Sequence, residues 1–357
     1  MALDTRPGTP SNSAAPDATR LVRDVRRSLR RRYVLVLAAV VVVWLGVFAA
    51  RVLLGDVTVT IPDFVRIVLG ADIPVASFEV MESKLPRAVA GTLAGLAFGA
   101  AGAVFQSMLR NPLASPDVVG VTMGSSAAAV VGMTAFGLDG IPLAVAAVVG
   151  GLVVAVAVLF LSGSKGVATY RMILVGIGLA ATLQAVIQWV FTTTDVYKAQ
   201  DAMVWLTGSL NSVTWGEILR MTVTVALLLP VVAALAPRLQ LLELGDDAAA
   251  GLGLRAAPTR AWLMGTTVVL TAVTTSVVGP IAFVSLLAGP ITRRINGGRP
   301  SIPIAALIGA AIVVAADYIG AYLVGTTNMP VGVVTGIAGA PFLLWLLLAS
   351  SRTLKDG

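Results

Sequence analysis

The sequence predicts an all-α polytopic membrane protein of about ten transmembrane helices with both termini cytoplasmic. Three observations carry that expectation. Hydrophobic residues make up 57% of the 357 and charged residues 12%, where soluble domains hold about 45–50% and about 25%. The apolar residues fall into runs of about 20, the length a membrane span needs. The 25 lysines and arginines divide unevenly between the loops so defined. Nineteen fall on the N-terminal side and six on the other, as the positive-inside rule requires.

The elements follow in chain order. Residues 1–32 are expected to form a disordered, basic cytoplasmic tail rich in Pro, Ser, Ala, Asp and Arg. Eight arginines, from Arg6 to Arg32, precede the first apolar run. Stretch 20–32 also has the character of a short basic amphipathic helix on the membrane surface. The run 34–50 is longer than a signal-peptide core and many spans follow it, so it reads as a retained first helix. The predicted spans are 33–54, 86–109, 116–136, 141–161, 168–193, 215–236, 258–278, 280–292, 301–324 and 331–350. The transmembrane domain is therefore 33–350, followed by a cytoplasmic tail 351–357. The eighth span is too short to cross alone, and Gly279-Pro280 breaks the backbone before it. Irregular backbone at membrane depth needs protein or a water-filled cavity around it.

Within the second span, Gly91, Gly95 and Gly99 recur every four residues and Gly102 follows. Small residues at this spacing let helix backbones approach closely in lipid. The simplest expectation is tight bundle packing, and a lining for a translocation path is the alternative.

Several chemistries are excluded. With no Cys and no His, disulfides, thiol catalysis, Cys/His zinc sites and a histidine base all fall away. No Walker A motif is present; Gly163-Ser164-Lys165 lacks the required spacing. The +7 net charge is placed as a topology signal, and nothing reads as a nucleic-acid module. The one intramembrane ionisable residue singled out is Asp317, in the ninth span. It is either a packing hydrogen bond or a functional group.

Two loops stand out. The outer loop 55–85 ends in Ser83-Lys84-Leu85-Pro86-Arg87, two cations at the lip of a span. They suit either snorkelling or docking to acidic residues of an extracytoplasmic partner. In the inner loop 244–254, Gly245 can end one helix and Asp246 and Asp247 can begin another. Gly251 and Gly253 end it. A short helix lying across the cytoplasmic face is expected there.

These segments together resemble the FecCD family, the permeases of type II ABC importers for iron-siderophore complexes, haem and cobalamin. Four stretches carry the resemblance: Lys84-Leu85-Pro86-Arg87; the segment 106–120 with Asn111-Pro112-Leu113-Ala114 and Pro116; the loop 244–254; and Pro330-Val331-Gly332-Val333-Val334-Thr335-Gly336 with Gly339-Ala340-Pro341. Gly279-Pro280-Ile281-Ala282-Phe283-Val284 is a weaker fifth.

The resemblance implies a type II importer permease fold in the bacterial cytoplasmic (inner) membrane. It implies a second permease subunit, two cytoplasmic ATPase subunits and an extracytoplasmic binding protein. ATP and Mg would be bound by the ATPases, with no cofactor in this chain. It implies that Lys84 and Arg87 dock the binding protein and that Gly245, Asp246, Asp247, Gly251 and Gly253 form the coupling helix. It places Asn111, Pro112, Leu113, Thr169 and Tyr170 near the cytoplasmic gate. Gly289-Pro290 stands where the family often has Pro-His, Ala321 where an Arg follows the Asp, and Met329 where an acid precedes Pro-Val-Gly. These departures fit an asymmetric heterodimer. The expected function is alternating-access import of a ferric siderophore, without an active site of its own. Cobalamin or haem, and a proton-coupled carrier, are the alternatives. A membrane enzyme would call for His, Cys or clustered carboxylates, and a bare scaffold leaves the two loops unexplained.

Overall fold

Glycine at helix contacts decides how this chain packs. In the computed structural model, which describes residues 18–117, 119–162, 168–324 and 328–353, the long helix α4 is the axis around which the others gather. Fourteen helices are present among the described residues. In chain order the first seven are α1 (Ala18–Leu53), α2 (Ile61–Val68), α3 (Ala76–Phe78), α4 (Leu85–Leu109), α5 (Val121–Ala135), α6 (Gly140–Ser162) and α7 (Ala168–Thr193). Then come α8 (Val196–Leu206), α9 (Trp215–Glu243), α10 (Asp246–Gly251), α11 (Ala256–Val278), α12 (Val284–Ile295), α13 (Ile302–Tyr322) and α14 (Val331–Thr353). A π-helical stretch, Glu79–Lys84, joins α3 to α4.

Seven of these segments are long and apolar enough to cross a membrane, and Val121–Ala135 and Val331–Trp345 are shorter apolar helices. All ten predicted spans contain a helix. In the apolar window of α4, 78% of residues are buried, and 61% in α11 and α13, against 6% in α1 and 17% in α7. So α4, α11 and α13 lie at the protein-lined centre, and α1, α6, α7 and α9 turn apolar faces outward, as lipid-facing helices do.

The centre is held by backbone-to-backbone contact. A Cβ at Gly95 would fall on the backbone of Ala310, and one at Gly99 on the Ala305 carbonyl. From the other side, Gly309 meets the carbonyl of Gly95. On the next turn Gly102 faces the Ser285 carbonyl of α12. The four-residue glycine spacing is thus a packing device, as expected. Gly124 and Gly150 repeat it between α5 and α6.

Four details differ from the sequence expectation. First, α1 begins at Ala18 and runs unbroken into the membrane helix. The basic stretch 20–32 is therefore a helical extension of the first span, neither a disordered tail nor a separate surface helix; residues 1–17 and 354–357 lie outside the described residues. Second, the third span is helical only from Val121, and 111–117 is irregular backbone. Third, α9 reaches Glu243 despite Pro230 and Pro237 inside it. Fourth, the polar loops conceal α2 and α8. Thr60 caps α2 by accepting from the Asp63 N–H, and Asp195 caps α8 by accepting from the Tyr197 N–H at 2.9 Å.

The eighth predicted span, 280–292, is part irregular backbone and part short helix. Gly279 ends α11 at φ 69° with its Cα side close to the Trp205 carbonyl, where only glycine fits. Residues 279–283 are non-helical, and α12 starts from Phe283 in the left-handed region at φ 65°.

Candidate functional site

The candidate functional groups gather at the two ends of the bundle. At the end opposite the basic tail, three helices contribute one charge each. Arg51 lies in the last turn of α1, Arg87 in the first turn of α4, and Asp317 near the end of α13. Arg51 Nε donates to Asp317 Oδ2 at 2.5 Å, and Arg87 Nη2 donates to Asp317 Oδ1 at 2.6 Å. Both oxygens are used by different arginines, and all three side chains are at most 8% exposed. Arg51 also donates to the Tyr322 hydroxyl at 3.4 Å and lies over that ring. Arg87 reaches Asn328 Oδ1 at 3.3 Å. Arg51 Nη2 and Arg87 Nε have no partner among the described residues. Lys84 is buried beside them, and its ammonium donates to the Val57 carbonyl.

Lys84 and Arg87 are therefore not an exposed interfacial pair. The π-helical turn that ends at Lys84 rotates both cations inward, where Asp317 takes up Arg87. Asp317 is correspondingly more than a packing hydrogen bond, since it neutralises one of two buried guanidinium groups. From sequence, Asp317 alone was singled out among intramembrane charges and Arg51 was missed. Its place in the last turn of a span was the available signal.

At the basic end, α4 stops at Arg110 in the left-handed region, φ 50°. Asn111 Oδ1 then accepts the Leu113 N–H at 2.9 Å, forming a side-chain-stabilised turn. Asn111, Pro112 and Leu113 are at least partly exposed, while Ala114, Ser115 and Pro116 plunge into the interior. Asp117 follows, accepting hydrogen bonds from Thr122 and, at 2.7 Å, from Ser285 Oγ of α12. Gln106 Nε2 donates to the Ser285 and Leu286 carbonyls at 3.3 and 3.2 Å. The irregular segment 111–117 and helix α12 are thereby tied together. Asp117 is another carboxylate within the predicted spans, part-buried and at the other end from Asp317. It fell inside the predicted span 116–136, and a charge inside an apolar run is the signal that was passed over.

The inner loop forms as predicted. Gly245, at φ 106°, precedes α10, which holds Asp246 and Asp247 in its first turn and closes at Gly251, with Gly253 at φ 82° behind it. Gly245 is needed because a side chain at that φ is strained. Arg260 of α11 grips Asp246 with two hydrogen bonds, 2.6 and 2.9 Å. Those bonds, ahead of the opposing effect of partial burial, hold the Asp246 carboxyl below its ordinary range. A Cβ at Gly245 would lie 3.6 Å from the Arg110 guanidinium, so the α10 loop touches the end of α4 from which Asn111 leads off. Arg293 of α12 reaches Glu243 at 3.4 Å and Ser107 at 3.1 Å. The loop residues and Asn111, Pro112 and Leu113 thus share one surface. Thr169 and Tyr170 are in the first turn of α7, and their side chains lie outside the described residues. Among the described residues, no three acidic side chains cluster as a metal site would require.

With this geometry in place, comparison with known proteins is informative. The FecCD transport family matches residues 39–349. The ferric enterobactin transport system permease protein FepG of Escherichia coli K12 is 41% identical over 274 residues, covering 76% of this chain and 83% of that protein. The Fe(3+)-citrate import system permease protein YfmE of Bacillus subtilis 168 is 35% identical over 335 residues, 92% of this chain and 99% of the relative. Among solved structures, an inward-facing conformation of a metal-chelate type ABC transporter superposes with TM-score 0.77 at 23% identity, over 88% of this chain and 99% of that one. That likeness bears on the fold.

Proposed function

This chain belongs to the FecCD transport family, and from that premise we propose that it is the permease subunit of an ATP-driven importer that carries a ferric siderophore into the bacterial cytoplasm. The observation that carries the cargo is the 41% identity to a ferric enterobactin permease across most of both chains, with ferric citrate permeases alongside. The chain itself does no covalent chemistry. ATP is hydrolysed by two separate cytoplasmic subunits, and a binding protein delivers the cargo to a cavity between this permease and a homologous partner.

On the topology set by the arginines, the α10 end is cytoplasmic. Gly245, Asp246, Asp247, Gly251 and Gly253 then form the coupling helix that rests on an ATPase subunit. Its contact with the end of α4 supports a route by which ATPase motion moves Asn111, Pro112 and Leu113, and with them Asp117 and α12. Thr169 and Tyr170 belong to the same gate. At the outer end, docking through Lys84 and Arg87 requires Arg87 to exchange Asp317 for a carboxylate of the binding protein. Arg51, Lys84 and Arg87 share that end with Asp317, Asp56 and Glu79, so an acidic partner docks there by taking over one of these pairings. ATP and the docked protein shift the conformational equilibrium only through their different affinities for its states.

The deciding experiment is whole-cell uptake of radiolabelled ferric siderophores, haem and cobalamin in strains with and without the gene. Selective loss of one ferric siderophore, restored by the gene, supports the assignment. Loss of cobalamin or haem uptake instead overturns the cargo and keeps the importer class. Uptake that persists without ATP but collapses with an uncoupler overturns both.

A further inference from the structure

We propose that the arginine-rich end of α1, together with the adjoining ends of α9 and α13, binds an anionic phospholipid of the cytoplasmic leaflet. The phosphate headgroup sits in a basic cavity and an acyl chain runs along an apolar groove beside it. The inference rests on the topology proposed above and is independent of the cargo.

The cavity has a volume of about 680 Å³, and its polar lining comes chiefly from Arg30, Arg32 and Tyr33 of α1, Gln240 and Glu243 of α9, and Arg299 before α13. Its charge is unbalanced. Glu243 is the one carboxylate in the lining and already faces Arg293 at 3.4 Å. No described carboxylate pairs with Arg30, Arg32 or Arg299. Arg32 gives one N–H to the Ile295 carbonyl at 3.3 Å, a bond that fixes α1 against the end of α12 and keeps the full charge. Three uncompensated guanidinium groups over an apolar floor that includes Leu239 and Ile302 suit a phosphate that arrives attached to something apolar.

A second observation says what that is. A separate groove of about 360 Å³ runs along α9 past Val225, Ala226, Leu229, Pro230 and Ala233, and carries no charged or amide side chain. It ends on Ile302 and Pro303, which also line the basic cavity. From Ala233 to Val225 it follows about 12 Å of helix. A free phosphate has no use for this groove, and a zwitterionic lipid gains little from three unpaired arginines. A basic pocket between spans on the cytoplasmic side is the kind of place where anionic headgroups are held. Arg30, Arg32 and Tyr33 precede residue 39, where the family match begins, so one wall of the site is built by the extension of α1.

The test is thermal unfolding of the purified full chain in mild detergent. It is titrated with dioctanoyl phosphatidylglycerol, dioctanoyl phosphatidylcholine or inorganic phosphate. Phosphatidylglycerol is expected to raise the unfolding temperature in a saturable way, and the other two are not. The double variant R30Q/R299Q is expected to need about 25-fold more phosphatidylglycerol, about fivefold per arginine. R23Q/R26Q, on the same helix outside the cavity, should titrate like the parent chain. Ala233→Trp, which fills the groove and spares the arginines, should abolish the lipid response. Equal shifts from phosphatidylcholine or from inorganic phosphate would overturn the proposal. So would an R30Q/R299Q titration matching that of R23Q/R26Q, or a response that proves to be self-association of the chain.

Discussion

Asp317 holds two guanidinium groups on one carboxylate with almost no water present. Removing one partner from a buried ion pair leaves an uncompensated charge, at a cost of about 3–5 kcal/mol. Asp317→Asn leaves both arginines without their anion, and its unfolding free energy in detergent is expected to fall by about that amount. Replacing all three by apolar residues of similar size (R51M/R87M/D317L) is expected to recover most of the loss. A D317N protein as stable as the parent would show the triad to be energetically idle. Asp246 behaves differently because it is partly exposed and paired with Arg260. Its folded-state carboxyl titrates lower than in the unfolded chain. The contribution is therefore complete above the unfolded value of about 3.9 and is lost as pH falls through the lower folded value. Hydrogen-exchange protection across 246–254, taken relative to the intrinsic rate at each pH, should be flat near neutrality and fall below about pH 4, and R260Q should lower protection at neutrality and flatten that acid limb.

At the scale of elements, helix contact without side chains fixes α4. Gly102 has the Ser285 backbone where its Cβ would be, and neither helix can retreat without breaking the Gln106 hydrogen bonds to the Ser285 and Leu286 carbonyls. Gly102→Val is expected to cost about 1–3 kcal/mol or more by overpacking. Gly46→Ala on α1, with open space around the new methyl group, is expected to stay within about 0.5 kcal/mol of the parent. Thermal melts of the two purified variants make the comparison, and equal melts would contradict the packing. The irregular elements matter as much as the helices. Around the non-helical stretches 111–117 and 279–283 the backbone finds local partners: the Asn111 N–H donates to the Gln106 carbonyl, the Ala114 N–H to that of Asn111, and the Val284 N–H to that of Ala282.

For the whole molecule, the outward faces of α1 and α7 leave much apolar surface on one chain. In the proposed heterodimer, the charge missing at Ala321 and Met329 comes from the partner permease. Co-purification with the binding protein should therefore require both permeases. A complex containing this permease alone that still captures the binding protein would refute the asymmetry.

The helical segments, the short helix after Gly245 and the family were legible because each depends on local chemistry. Apolar runs of membrane length, Gly245 before two aspartates, and the Asn111-Pro112-Leu113 turn all act within a few residues. The basic extension of α1 was misread because arginine density looks the same in a free tail and in a helix, and continuity with the span decides between them. Three further features came from tertiary structure alone. Arg51 meets Asp317 across 266 residues of chain, Asp117 meets Ser285 across 168, and Lys84 and Arg87 face inward because a π-helical turn rotates them. The sequence states how much charge the chain carries. Where each charge is neutralised depends on which helices the glycines allow to touch, and that is a property of the packed bundle.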